Sequence, residues 1–294
     1  MKIAFIFLYD QEHTGSWLSV IIEILIGLFV SLIAGMIGSM VGIGGGIIIS
    51  PYLSFFNYLP SQISSTSLMA VLSTSLSSSF FYYRKKSIAY KMGLIISISS
   101  IPGTYLGVII TGFFSLFEFK FYFALILICT SIYLLLKSRL NNKKNIDPQS
   151  DNINKQSSFP FLKTALLIVS SFFAGILSSS FGIGGGIIFV PSLIILFGFN
   201  MNHAAATSQF ALLFTSFSGI LIYIYHGYPD YYMGFFLSVG SLIGGTIGSK
   251  ISLTVNSIIL QKLFSFILIL VAMKLLYDGL FYSNLLLFFF WFAF

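Results

Sequence analysis

The run Gly42-Ile43-Gly44-Gly45-Gly46-Ile47 returns as Gly182-Ile183-Gly184-Gly185-Gly186-Ile187. A proline follows each run at the same distance, Pro51 and Pro191. Glycine this dense permits backbone angles that other residues avoid and weakens a helix interior, so a helix should break at each run and a new one begin within it. A helix start exposes main-chain N–H groups at the positive end of the helix dipole, which binds an anion without any charged side chain. The expected substrate-binding set is therefore Gly42, Gly44, Gly45, Gly46 and Pro51, with Gly182, Gly184, Gly185, Gly186 and Pro191.

After each run comes a polar patch, Ser61–Ser67 and Asn202–Gln209. Thr66-Ser67 and Thr207-Ser208 hold equivalent places, and their hydroxyls, with Gln209, join the expected binding set; helix capping or back-bonding is the competing use. His203 and His226, the two histidines of this half, are each candidates for a coupling proton. Glu23, in the first apolar segment, is a further coupling candidate if it is buried. Tyr82 and Tyr223, at equivalent segment ends, are expected in an aromatic belt.

Other chemistries find no support. No G-x-x-x-x-G-K-[ST] run and no strand-borne G-x-G-x-x-G spacing points to a nucleotide. Three histidines and eight acidic residues lie scattered, without metal-ligand spacing. Cys129 stands alone in an apolar run, which suggests a small core residue rather than a disulfide. The expectation is a protein that is not an enzyme and needs no cofactor.

The elements that position these residues must sit in lipid. Of the chain, 57% is hydrophobic and only 8% charged, against roughly 25% in soluble domains. No charge falls between Glu23 and Arg84, or between Lys163 and Asp230. Each gap exceeds the ~20 residues of one membrane helix several times over. The net charge of +7 lies in short loops, where it orients a membrane protein rather than attracting nucleic acid. The opening stretch, residues 1–13, makes a poor signal peptide because Asp10 and Glu12 cut its short apolar run. The closing LLLFFFWFAF is too short to span and is expected at an interface.

A polar, basic segment, residues 137–160, reads as a cytoplasmic linker between a first membrane repeat (1–136) and a second (161–294). The halves match in order. Ala34–Pro51 and Ala174–Pro191 share 11 of 18 positions; after a one-residue slip, Tyr82 falls on Tyr223, Gly93 on Gly234, and Gly103/Gly107 on Gly244/Gly248. That order marks an internal duplication. The Gly-x-x-x-Gly pairs suit close helix packing.

Each half offers about five apolar segments, with the helix after each glycine run, such as Gly44–Leu59, too short to cross ~30 Å of hydrocarbon. The basic loop Arg84-Lys85-Lys86 has no basic counterpart in His226–Asp230, whereas the following loop carries Lys250 and Lys262. The basic bias thus changes sides between the halves. An odd number of spans per half produces that change. The expected fold is all-α and polytopic, with about ten membrane helices in two inverted repeats and helices broken at the glycine runs. Four spans per half with dipping glycine segments is the alternative.

The stretches Ala34–Leu53 and Ala174–Leu193, with the Thr-Ser pairs and the later Gly-x-x-x-Gly, resemble the signature of the TauE/SafE sulfite exporter family. The resemblance covers nearly all of the chain apart from the linker and the ends. It implies a multi-pass plasma-membrane transporter that exports sulfite, sulfoacetate or a related organosulfur anion. A passive anion channel, or a non-transporting subunit of a larger complex, remains open at this point. One departure is Arg84-Lys85-Lys86-Ser87, where the family often has a glycine and an acidic residue; His226–Asp230 keeps that pattern. The implied partners are a small anion and the lipid bilayer, in an undetermined oligomeric state.

Overall fold

A computed structural model describes residues 17–56, 58–141, 161–252, 265–266 and 269–277. Most of the linker, the opening stretch, the closing aromatic run and much of the last apolar segment lie outside the described residues. All regular structure among the described residues is helical. In chain order the helices are α1 (Trp17–Val41), α2 (Gly46–Ser54), α3 (Pro60–Arg84), α4 (Tyr90–Thr111), α5 (Leu116–Asn141), α6 (Phe161–Phe181), α7 (Gly186–Phe197), α8 (Met201–Tyr225) and α9 (Tyr231–Ile251). A further helical stretch occupies 269–277. Helix α5 runs on into the residues read as linker.

Five helices, α1 (over Ile21–Val41), α4, α6, α8 and α9, are each long and apolar enough to cross a membrane. The helices that follow the glycine runs are shorter than the sequence suggests. Nine residues in α2 rise roughly 14 Å and twelve in α7 roughly 18 Å.

Helices from the two halves interleave. Helix α1 lies along α9, and α4 along α6. Glycine sets both contacts, as the Gly-x-x-x-Gly spacing leads one to expect. A methyl group at Gly244 or Gly248 would overlap the carbonyls of Leu32 or Met36, and one at Gly103 or Gly107 those of Phe172 or Ile176. Such approach brings main chains together where lipid supplies no hydrophobic drive.

Helices α3 and α8 cross between these pairs. Nine of the 25 residues of α3 are serine, and many of their hydroxyls bond back to carbonyls about one turn earlier, as Ser73 does to Met69 O and Ser77 to Thr74 O. This satisfies the hydroxyls without water. Near one end of the crossing Leu68 meets Gly219, and near the other Ser78 meets Gln209. Positions rise along α3 as they fall along α8, so the two helices run in opposite directions.

Polar caps fix several helix starts. Asp230 Oδ1 accepts from the amides of Tyr232 and Met233 at α9, and Asn200 accepts from His203 N at α8. Ser115 and Glu118 cap α5 reciprocally, each side chain accepting the other's amide. Helices α3 and α8 end alike: Lys86 at φ 54° and Gly227 at φ 72° take the left-handed turn, and the next amides, Ser87 and Tyr228, donate back to Tyr82 O and Tyr223 O.

Two expectations fail. Tyr82 and Tyr223 are fully buried rather than set in a belt. Each hydroxyl donates to a carbonyl near the end of the preceding long helix, Tyr82 to Ser39 O at 3.1 Å and Tyr223 to Ser179 O at 2.8 Å. A phenol inside the protein needs such a partner. Cys129 is exposed, not a core residue; it stands on the outward side of α5, beside the buried Leu127.

Candidate functional site

Each glycine run breaks its helix through backbone angles. Gly42, Gly44 and Gly45 take φ of 82°, 89° and 68°, and Gly182, Gly184 and Gly185 take 68°, 94° and 77°. Only glycine adopts three such angles in four residues without strain. Helix α1 therefore stops at Val41 and α6 at Phe181, and α2 and α7 restart from Gly46 and Gly186. The carbonyl of Gly38 gathers the amides of Gly42 (2.9 Å), Ile43 (2.9 Å) and Gly44 (3.2 Å). No described residue accepts from the amides of Gly45 and Ile47, or from those of Gly185, Gly186 and Ile187.

The two knots sit back to back. The Cα of Gly46 abuts the carbonyl of Gly182, and that of Gly186 abuts the carbonyl of Gly42. Both sets of glycines are buried, and Val71 and Leu212 lie over both Gly44 and Gly184. The structure thus brings Gly42–Gly46 and Gly182–Gly186 into one centre, as the duplication suggests. Pro51 and Pro191 lie farther along, inside α2 and α7, each at the sixth helical residue.

The hydroxyls of this centre tie it together. Ser67 Oγ donates to Gly182 O at 2.8 Å, and its repeat mate Ser208 Oγ donates to Gly42 O at 2.6 Å. Ser64 Oγ donates to Ser180 O, and Ser50 Oγ to Phe181 O, both at 2.7 Å. Gln209 Nε2 donates to Gly38 O at 2.9 Å while its Oε1 accepts from Ser78 Oγ at 3.1 Å. In this conformation the protons of Ser67 and Ser208 go to carbonyls of the opposite knot.

Thr66 and Thr207 face elsewhere. Thr66 Oγ1 accepts from Asp230 N at 3.2 Å, and Thr207 Oγ1 from Ala89 N at 3.0 Å. Each threonine therefore holds the loop that enters a long helix of the other half.

The coupling candidates are not in this centre. His203 Nδ1 contacts Ser87 O at 2.8 Å. His226 is exposed, with Nδ1 against Ile222 O and its ring stacked on Tyr228. Glu23 is half-buried on α1, and its main-chain carbonyl accepts from Tyr52 Oη at 3.4 Å. Sequence reasoning missed a different pairing, Tyr58 Oη donating to Asp230 Oδ2 at 3.0 Å. Burial first, and the adjacent carboxylate second, push the Tyr58 phenol above its ordinary pKa, so it remains a donor. Among the described residues no group of three or more His, Cys, Asp or Glu is placed to hold a metal.

Ser178 was also missed. It lies in α6 beside a small hollow, shared with Gly185, Ile187 and Ile188, whose surface is wholly apolar. It is 1% exposed, and its Oγ has no hydrogen-bond partner among the described residues. A serine within Ser178-Ser179-Ser180 carries no mark in sequence that separates it from its neighbours.

Residues 27–275 match the model of the family described as sulfite exporter TauE/SafE. The chain belongs to that family. It is 31% identical to the probable membrane transporter protein YunE of Bacillus subtilis, over 81% of this chain and 92% of that protein. It is 28% identical to the probable membrane transporter protein MJ0441 of Methanocaldococcus jannaschii, over 77% and 85%, and 22% identical to the probable membrane transporter protein YfcA of Escherichia coli K12, over 80% and 83%. No solved structure matches the chain. With five span-capable helices, this family member is a multi-pass membrane transporter.

Proposed function

We propose that the chain is a secondary carrier, not an enzyme, that exports a small anion across the plasma membrane by alternating access. Its substrate is sulfite or an organosulfonate such as sulfoacetate, in keeping with the description of the family. The carrying observation is the meeting of two helix starts, at Gly46 and Gly186, in one buried centre without a charged side chain. Main-chain amides there offer donors to an oxyanion. Irregular backbone at membrane depth persists only against protein or a wet path. Ser67, Ser208 and Gln209 tie the two knots, and Thr66 and Thr207 tie the flanking loops, so these residues form the frame of the site.

The proposed topology has about ten spans in two inverted repeats of five, with residues 137–160 as a cytoplasmic linker. Its support is the opposed direction of α3 and α8, which are repeat equivalents, and the exchange of partners between α1–α9 and α4–α6. A cytoplasm-negative potential favours anion exit by ~2.3 kcal/mol per charge per 100 mV, so export needs no coupled proton.

The test is reconstitution of the purified full chain in liposomes loaded with sulfite or sulfoacetate. A carrier gives efflux that saturates with internal concentration. Flux no faster than in protein-free liposomes, for both anions, contradicts the proposal.

A further inference from the structure

The turns that end α3 and α8 share one backbone and differ in side chains. Lys86 and its mate Gly227 take the same left-handed angle, and both turns fold back on the carbonyl of a buried tyrosine. The first turn and the helix after it carry Arg84, Lys85, Lys86 and Lys91, all exposed. The matching places in the second half hold Tyr225, His226, Gly227 and Tyr232. Lys86 thus sets a cation at a backbone angle that favours glycine. The described acids lie elsewhere. Glu23 and Asp230 are near Tyr58, Asp230 is tied to Thr66, roughly 27 Å of helix from Arg84, and Glu118 caps α5.

An exposed stripe at every fourth residue leads to each turn. On α3 it runs Leu76, Phe80, Arg84, and on α8 Phe217, Leu221, Tyr225. Its apolar members face acyl chains in a bilayer. Tyr225, 88% exposed, ends its stripe as interfacial tyrosines do at headgroup depth. The proposed inverted repeat puts Arg84 at the same depth on the opposite surface. Its guanidinium lies over the Phe80 ring, 4.5 Å from the centroid, so the charge is laid on the lipid-facing side of the helix.

We infer that the first turn is a binding site for the headgroup of an anionic phospholipid. The planar fork of Arg84 suits the phosphate, and Lys85, Lys86 and Lys91 add positive charge around it. An acyl chain of the same lipid lies along Phe80 and Leu76. The second turn has the stripe without Lys or Arg, and it does not discriminate among headgroups. The site is apart from the glycine knots, so it stands whether or not the chain carries sulfite.

Native mass spectrometry of the purified full chain in detergent reads the dissociation constant of the first bound lipid, with phosphatidylglycerol and with phosphatidylcholine of the same acyl chains. The parent prefers phosphatidylglycerol. Each cation lost near a membrane surface weakens that binding about fivefold, so Arg84→Gln loses about fivefold and Arg84→Gln with Lys85→Gln about twenty-five-fold. Phosphatidylcholine binding holds within about twofold in both. Arg84→Lys, which keeps the charge and loses the fork, falls between Arg84→Gln and the parent. His226→Gln, at the mate of Lys85, changes neither lipid. Should Arg84→Gln not purify as a monodisperse protein, Lys85→Gln with Lys91→Gln gives the same reading at two exposed positions. Equal affinity of the parent for the two lipids overturns the inference, as does a phosphatidylglycerol preference that survives the substitutions. Displacement of phosphatidylglycerol by millimolar inorganic phosphate at constant ionic strength overturns it too, because the turn then takes free anions rather than lipid.

Discussion

The Ser208 hydroxyl donates to the carbonyl of Gly42, at 2.6 Å and across 166 residues, while Ser67 does the same to Gly182 at 2.8 Å. Each half thus closes the broken helix of the other. A carbonyl at such a break has lost its helical partner and is buried, so the serine satisfies a group that lipid cannot. Ser208→Ala and Ser67→Ala should each destabilise the protein by about 1–3 kcal/mol, as an unsatisfied buried acceptor does. Unfolding followed by tryptophan fluorescence in detergent checks this; two variants as stable as the parent would show that the bonds are idle.

Gln209 bridges Ser78 and Gly38. Gln209→Leu installs the residue found at its repeat mate, Leu68, and leaves Gly38 O with one donor fewer. The expected loss is about 1–2 kcal/mol, because three main-chain amides still serve that carbonyl. Ser78→Ala combined with Gln209→Leu should add little beyond the single change, since both act in one network. A double-mutant cycle reads this directly, and strict additivity would contradict the bridge.

Glycine positions separate two kinds of strain. A side chain at Gly244 would overlap the Leu32 carbonyl between α9 and α1. Gly198 has open space at its Cβ but a φ of 69°. Gly198→Ala should therefore lose only about 1–2 kcal/mol, the usual penalty for a left-handed alanine. Gly244→Val should lose about 3 kcal/mol or more, because two helices must part. The yield of monodisperse protein and its melting temperature rank the two; the reverse ranking would place α1 and α9 apart.

Lys86 holds the left-handed turn that its mate Gly227 takes freely. Lys86→Gly should stabilise the chain by about 0.5–1 kcal/mol. A lower melting temperature would mean that this turn is absent in the membrane-embedded protein.

The opposed directions of α3 and α8 predict opposed faces for their ends. Lys85 and His226 are repeat mates and both exposed. In a Cys129→Ser background, Lys85→Cys and His226→Cys should react with an impermeant maleimide from opposite sides of the membrane. Labelling of both from one side contradicts the inverted topology.

Much of the site's backbone was legible in sequence. Val41 and Phe181 end their helices where the glycine runs begin, because three left-handed angles admit nothing but glycine there. The span of α2 was not legible: apolar residues continue to Leu59, but the helix ends at Ser54 and the chain turns through Phe55 and Phe56. Ser67 and Thr66 are adjacent, yet one reaches the opposite knot and the other a loop, since neighbouring helical side chains point some 100° apart. Tyr82 resembles a belt residue by position alone, and its partner Ser39 lies 43 residues away. Ser178 differs from Ser179 and Ser180 only in lacking an acceptor, which is a tertiary fact: Ser179 finds Thr104 O and Ser180 finds Gly107 O.

Counterflow reads the central claim most directly. Liposomes bearing the purified full chain are preloaded with unlabelled sulfite, then diluted into a trace of radiolabelled sulfite. A carrier that presents one anion site to alternate sides drives the label transiently above its equilibrium level inside, and the account predicts that overshoot. Label that only relaxes monotonically to equilibrium indicates an open pore, and label that does not enter faster than in protein-free liposomes indicates no transport; either result contradicts a sulfite carrier built on the paired glycine knots.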